Sequence, residues 1–134
     1  MNIKLSDFGL ATIVKHDHDL KETHCGTPNY IAPEILEKTG YSYPVDVWSI
    51  GCSLYTMLIG RCPFETKSIS LTYGKIRAGD YVIPKYVNEY ARDLIEGMLT
   101  LDQYKRPILA GLADHPFLTA HRTSPVVCIT PLDD

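Results

Sequence analysis

The chain has 134 residues, of which 45% are hydrophobic and 22% are charged, a composition that is ordinary for a single globular domain. Its formal net charge of −3 and the absence of a basic stripe exclude nucleic acid and acidic membrane surfaces as expected partners. The four cysteines are scattered without a Cys-x-x-Cys pair, which predicts reduced thiols in a cytoplasmic or nuclear protein.

The first third of the chain is predicted to hold little regular structure. Residues 3–5 alternate apolar and polar side chains and are predicted to form one short strand of a strand pair. The polar stretch over 13–24 has no periodicity and predicts a loop. Pro33 suits a first helical turn, so a short helix is predicted over 33–38, ended by Gly40.

The next segment is the most apolar part of the chain. A helix is predicted from Asp46, as its cap, to Ile59, with Gly60 as its end. Apolar residues lie all round this helix, so we expect it to be buried, with Trp48 in the core. Its apolar run is shorter than the about 20 residues that a membrane span needs, and no membrane interaction is predicted.

The remaining pattern predicts three further helices and a tail. One helix is predicted over 70–78, and another, over 107–115, is bracketed by prolines. Between them, Asn88 caps an amphipathic helix whose apolar residues follow helical spacing. These residues are Ala91, Leu94, Ile95, Met98 and Leu99. The fold class is therefore mainly α, with a helical subdomain over 33–118 and an extended tail over 119–134.

Two tripeptide motifs carry the strongest functional signal. The sequence Asp7-Phe8-Gly9 is followed by a run that begins at Cys25 and ends in Ala32-Pro33-Glu34. Asp-Phe-Gly followed by Ala-Pro-Glu brackets the activation segment of protein kinases, here residues 7–34. Asp-Phe-Gly by itself is also compatible with a plain turn after a strand. Both motifs in order, joined by Gly-Thr-Pro-x-Tyr, indicate a protein kinase.

The chain resembles the polo-like Ser/Thr protein kinases over residues 3–118. The resemblance rests on four segments, namely 7–12, 25–34, 45–52 and 63–66. It implies that residues 1–118 are the distal part of a kinase C-lobe, from the Asp-Phe-Gly motif onward. It also implies an enzyme that transfers the γ-phosphoryl group of ATP to Ser and Thr hydroxyls of protein substrates, with Mg²⁺ as the metal.

The resemblance also implies roles near the nucleotide. Asp7 would bind the Mg²⁺ that bridges the ATP phosphates, because this hard cation prefers carboxylate and phosphate oxygens. Phe8 would pack behind Asp7, and Gly9 would supply the backbone freedom that moves the aspartate in or out. These three residues are the predicted cofactor site.

On the substrate side, the resemblance places the activation loop and the peptide surface. Thr23 occupies the position of the activating phosphothreonine, the target of an upstream kinase, where phosphate would order the loop. An unmodified loop threonine is the alternative. Thr27 resembles the threonine that contacts the catalytic aspartate. Pro28, Asn29 and Tyr30 would form the platform beside the phosphoacceptor.

Two further assignments are structural. Glu34 and Arg106 would form a buried ion pair that ties the Ala-Pro-Glu segment to the segment around Arg106. Asp46 would hold the backbone of the catalytic loop, and it is locally also a helix cap, so that both readings can be true.

The 134 residues lack three parts that phosphoryl transfer requires. These are the Gly-rich loop, the strand lysine with its helix glutamate, and the His-Arg-Asp catalytic loop. We therefore expect this partial kinase domain to be inactive alone, as a fragment or as a true truncated product. The alternative function is a catalytically dead protein-interaction or regulatory remnant of a kinase.

Overall fold

The computed structural model describes residues 4–15 and 28–120, and over these ranges the fold is mainly α, as predicted. Within these ranges, six α-helices and two short 3₁₀ turns follow one another. The helices are α1 (Pro33–Glu37), α2 (Pro44–Ile59), α3 (Ile69–Ala78), α4 (Glu89–Met98), α5 (Leu109–Leu112) and α6 (Pro116–Thr119). The 3₁₀ turns span Pro28–Tyr30 and Gln103–Lys105. None of the helices in these ranges has the length and apolarity to cross a membrane.

The longest helix, α2, begins earlier than predicted. Its first residue is Pro44, whose ring fixes a helical φ and which lacks only an N–H that the first turn leaves unbonded. Asp46 is therefore not the cap and lies inside the first turn, where a carboxylate is favoured by the helix dipole. The predicted end is confirmed, because Gly60 adopts a φ of 85° and donates its N–H to the Thr56 carbonyl over 2.8 Å.

The core lies on one side of α2. Trp48 is fully buried and stacks on Phe64, with ring centroids 5.4 Å apart and an interplanar angle of 6°. The expectation that α2 is buried all round is wrong on its other side, where Ile50 is 44% and Met57 is 75% exposed. The physical reason is that no element within the described ranges covers this face.

Helices α2 and α4 are in tight contact at Gly51. A Cβ atom at this position would lie 2.9 Å from Met98 Cβ and 3.0 Å from Leu99 Cδ2. Contacts under 3.0 Å to a Cβ cannot be relieved by a rotamer change, so the backbones would have to separate. Glycine is thus required here by the distance between two helices and not by its own φ.

We expect Gly51→Ala to lower the free energy of unfolding by about 1–2 kcal/mol. Overpacking costs about 1–3 kcal/mol, and the better helix propensity of alanine offsets up to about 1 kcal/mol of it. Urea denaturation followed by circular dichroism measures the change. Gly74→Ala in α3 is the matched control, because nothing lies within 4 Å of its added Cβ. That variant is expected to be stabilised, and equal signs for the two variants would contradict the prediction.

The amphipathic helix is confirmed as α4. Asn88 Oδ1 accepts a hydrogen bond from the Tyr90 N–H over 2.8 Å, as a capping residue does. The apolar stripe predicted for this helix is buried: Ala91, Leu94, Ile95 and Met98 in α4 and Leu99 directly after it. Local capping and periodicity were therefore sufficient to define this helix.

The helix predicted over 107–115 is shorter than expected, because α5 spans only Leu109–Leu112. Pro116 lies beyond the end of α5, as predicted, and also begins the further short helix α6. His115 caps α6, because its Nδ1 accepts a hydrogen bond from the Phe117 N–H over 3.2 Å. Residues 119 and 120 end α6, and the rest of the predicted tail lies outside the described residues.

The predicted strand over 3–5 is not formed at its described residues. Lys4 and Leu5 have no regular structure, and Leu5 is 87% exposed. A strand requires a neighbour for its backbone hydrogen bonds, and no strand is formed elsewhere in ranges 4–15 and 28–120 to provide one. At Lys4 and Leu5 the predicted strand is therefore not formed.

Candidate functional site

The two ends of the predicted activation segment lie on the walls of one cavity. This cavity has a volume of about 430 Å³. Its lining comes from residues between 10 and 14, between 30 and 35 and between 41 and 49. The chain following Gly9, the chain leading into α1 and the start of α2 thus meet at a single concave surface.

The Asp-Phe-Gly motif directly precedes Leu10, the first residue that lines this cavity. Asp7 adopts a φ of 63°, a left-handed conformation that aspartate tolerates better than most residues. Its Oδ1 accepts a hydrogen bond from the Gly9 N–H over 3.4 Å. Phe8 is 69% exposed, so the predicted packing behind Asp7 is not formed within the described ranges, where no element covers the ring.

A hydrogen bond connects the chain after Gly9 to the residue that precedes α2. The Tyr43 hydroxyl donates to the Val14 carbonyl oxygen over 2.8 Å, and Tyr43 directly precedes α2. Periodicity gave no sign of this contact, because the two residues are far apart in sequence. The predicted phosphosite Thr23 lies outside the described residues, and so does Thr27, which was predicted to contact the catalytic aspartate.

The predicted peptide platform forms the 3₁₀ turn Pro28–Tyr30. Ser49 Oγ lies on α2 and donates to the Tyr30 carbonyl oxygen over 3.2 Å. At the other end of the same residue, the Cys62 thiol donates to the Tyr30 hydroxyl oxygen over 3.7 Å. Tyr30 is therefore held at both its backbone and its ring.

Glu34 and Arg106 are brought together from opposite parts of the sequence. Arg106 Nη1 and Nη2 donate to the two carboxylate oxygens of Glu34 over 2.6 Å and 2.8 Å. The side chains are 0% exposed for Arg106 and 5% exposed for Glu34. This is a bidentate, charge-assisted pair, the geometry in which a guanidinium binds a carboxylate most strongly.

Arg106 uses every one of its N–H donors. Besides Glu34, the guanidinium donates to three backbone carbonyl oxygens, those of Pro44, Thr100 and Leu101. The guanidinium carbon also lies 4.9 Å from the centroid of the Trp48 ring, which is a cation–π contact. The pair thus joins α1, the start of α2 and the loop after α4 into one unit.

Asp46 lies on the cavity wall, in the first turn of α2. Asp46 is an exposed residue, but its carboxyl group is partly buried. This partial burial raises the pKa of Asp46 above its ordinary value. No residue in the described ranges forms a hydrogen bond with this carboxylate. The nearby Ser42 hydroxyl, which composition and spacing did not single out, is also buried without a partner in those ranges.

Comparison with known families decides what this arrangement is. The family described as "Protein kinase domain" matches residues 1–118, which is most of the chain. The chain belongs to the protein kinase domain family. In this kinase segment, Glu34 is the last residue of the Ala-Pro-Glu motif, and its ion pair is the contact that ties the end of the activation segment to the helical core.

The kinase chain is similar to several polo-type enzymes. Serine/threonine-protein kinase PLK1 of Xenopus laevis is 47% identical over 133 residues, and polo of Drosophila melanogaster is 44% identical over 133 residues. Each match covers 97% of this chain but only 22% and 23% of the relative. Serine/threonine-protein kinase PLK4 of Drosophila ananassae is 44% identical over 119 residues, which are 16% of its length.

The chain therefore spans less than a quarter of the length of the curated relatives that it matches. These similarities confirm the predicted resemblance to the polo-like Ser/Thr kinases. Together with the helical architecture, they also confirm the fold class, a partial kinase C-lobe.

Protein kinases generally use ATP and Mg²⁺, and Asp7 fits one ligand position of such a metal. It offers an exposed carboxylate, and Mg²⁺ in phosphoryl-transfer sites takes one or two carboxylates, with phosphate oxygens and water as the other ligands. Over 4–15 and 28–120, no group of three or more His, Cys, Asp and Glu side chains could hold a metal ion by itself. A single carboxylate such as that of Asp7 is enough for a Mg²⁺ ion whose other ligands are phosphate oxygens and water.

Proposed function

We propose that this chain is the activation segment and distal C-lobe of a polo-like Ser/Thr protein kinase. The whole enzyme transfers the γ-phosphoryl group of ATP to Ser or Thr hydroxyls of protein substrates. The observation that carries the proposal is the shared cavity. The residues after Gly9, the Tyr30 platform and the Asp46 carboxylate surround one space, as a site that joins nucleotide and peptide requires.

Asp7 is the residue that would hold the metal. Bound Mg²⁺ neutralises charge on the phosphate oxygens during transfer. The left-handed backbone at Asp7 directs its carboxylate toward the Gly9 N–H, so that the side chain is oriented before any ligand binds. Phe8 and Gly9 complete this cofactor segment.

The substrate side of the proposal concerns the turn Pro28–Tyr30 and the two threonines before it. Thr27 is proposed to contact the catalytic aspartate, and Thr23 is proposed as the phosphorylation site of an upstream kinase. Support comes from the rigid attachment of the turn, since Ser49 holds the Tyr30 backbone and Ile31 and Ala32 are buried beneath it. A peptide that binds beside this turn meets a fixed surface.

Asp46 is proposed to anchor the backbone of the catalytic loop. A carboxylate that faces a cavity without a hydrogen-bond partner in the described ranges, and that partial burial has already desolvated, gains by accepting backbone N–H groups. The buried Ser42 hydroxyl, on the same cavity wall, also has no hydrogen-bond partner in the described ranges. Both groups are therefore suited to bind a backbone segment that enters the cavity.

We expect Asp7→Asn to lower phosphoryl transfer by at least about 100-fold in the full-length protein that carries this chain. A bound metal ion stabilises the charge that develops in the transition state by several kcal/mol. The neutral amide of asparagine binds Mg²⁺ more weakly than a carboxylate does. Transfer of labelled phosphate from ATP to casein measures the effect.

The matched control is Asp114→Asn, an exposed aspartate outside the cavity, which is expected to keep activity within about twofold of the unmodified protein. Equal activity of the two variants would contradict the role of Asp7. If the unmodified protein transfers no phosphate and binds no ATP with Mg²⁺, the catalytically dead interaction module is the better description.

A further inference from the structure

The ring of Tyr30 is held by side chains that the kinase motifs do not include. The Cys62 thiol donates to the Tyr30 hydroxyl oxygen over 3.7 Å, and the Thr56 hydroxyl lies 3.7 Å from the same sulfur. Thr56 is itself fixed on α2, because its hydroxyl also donates to the Cys52 carbonyl over 2.8 Å. A continuous chain of polar contacts therefore leads from the end of α2 to the peptide platform.

The position of Cys62 is set by its neighbours on both sides. Gly60 ends α2 in a left-handed conformation, and Phe64 is fully buried and stacked on Trp48. The short connection between these two residues has little freedom, so the thiol is presented at a fixed place. Cys62 itself is only partly buried, in contrast to the buried Cys52.

The opposite end of Tyr30 depends on the same helix. Ser49 Oγ donates both to the Val45 carbonyl on α2, over 3.1 Å, and to the Tyr30 carbonyl, over 3.2 Å. The backbone of the platform is therefore fixed independently of its ring. Loss of the Cys62 contact should let the Tyr30 ring change its orientation, while the turn Pro28–Tyr30 stays in place.

We propose that Cys62, supported by Thr56, is a positioning residue that orients the Tyr30 ring and thereby sets the affinity for the protein substrate. The proposal rests on the proposed function, because Tyr30 forms a peptide platform only in a working kinase. Cys62 does not contact the nucleotide segment at Asp7 in this arrangement, so its influence falls on substrate binding and not on phosphoryl transfer.

The contact itself is tested on the full chain without any assay of activity. We expect Tyr30→Phe to increase the rate of iodoacetamide alkylation at Cys62 at least about twofold, because the thiol loses its acceptor while the ring keeps its bulk. Peptide mass spectrometry gives the rate for each cysteine. Cys52 is the internal reference, since it is fully buried and burial raises its pKa to about 12. An unchanged or slower rate at Cys62 would overturn the contact.

The functional part is tested in the full-length kinase with a peptide substrate. We expect Cys62→Ala to raise the KM for the peptide about threefold, as the loss of one weak hydrogen bond predicts, with kcat and the KM for ATP unchanged. Cys62→Ser should restore the peptide KM, because a hydroxyl replaces the thiol as donor. Ser70→Ala, at an exposed position of α3, is the surface control.

The outcomes separate the two proposals. An unchanged peptide KM for Cys62→Ala, or a parallel loss of kcat, would overturn the positioning role while leaving the kinase function intact. An unmodified protein without activity would overturn the proposed function and the platform role with it, whereas the alkylation rates would still decide whether Cys62 and Tyr30 are coupled.

Discussion

Replacing Arg106 by methionine is expected to lower the free energy of unfolding by about 3–5 kcal/mol, the cost of stranding one charge of a buried pair. The Glu34 carboxylate would remain 5% exposed without its bidentate partner. In addition, three backbone carbonyl oxygens would lose their donor. Urea denaturation of the variant, followed by circular dichroism at 222 nm, measures the change. The same substitution should loosen the attachment of the Ala-Pro-Glu segment.

Two comparisons separate this effect from a general loss of packing. Lys105→Met removes one partner of an exposed pair, since Lys105 is 76% exposed and lies 3.3 Å from Asp102. It is expected to change stability by less than about 1 kcal/mol. The double variant Glu34→Leu with Arg106→Met should be more stable than Arg106→Met alone, because it strands no charge. An Arg106→Met variant as stable as Lys105→Met would contradict the prediction.

Trp48→Ala is expected to destabilise the chain by about 3–5 kcal/mol, within the range for truncating a buried aromatic residue. Trp48 is fully buried, and its loss would leave a cavity between the Phe64 ring and the Arg106 guanidinium. Circular dichroism in urea is the measurement, because Trp48 is the single tryptophan and its fluorescence disappears with the substitution.

The control for Trp48 is another aromatic residue on the surface. Tyr104 is 81% exposed, so Tyr104→Ala should change stability by no more than about 0.5 kcal/mol. Combining Trp48→Ala with Arg106→Met should cost less than the sum of the single changes, since both remove the same cation–π contact. Strict additivity, or equal effects of Trp48→Ala and Tyr104→Ala, would show that the Trp48 ring is not central to the core.

Local chemistry explains which elements could be predicted. Asn88 caps α4 and Gly60 ends α2, as expected, because capping and positive φ are properties of a few neighbouring residues. The elements that were predicted wrongly depend on partners. The strand over 3–5 needs a neighbouring strand, and the extra helix α6 is capped where His115 accepts a hydrogen bond from the Phe117 N–H.

The candidate site divides in the same way. The motifs at Asp7 and Glu34 could be recognised from sequence, because metal binding and the kinase segment require particular residue types in a particular order. The roles of Cys62 and Thr56 could not be recognised, because no spacing connects them with Tyr30. Their proximity arises only when α2 and the turn Pro28–Tyr30 pack together.

The amino-acid sequence by itself determined the family, the mainly α class and most helix ends, since these follow from short-range periodicity, capping and ordered motifs. Tertiary structure alone decided how completely Arg106 is satisfied, why Gly51 cannot carry a side chain, and what holds the ring of Tyr30. The physical reason is that these features depend on distances between residues far apart in the chain. Such distances are set by the packing of whole helices and not by any local preference.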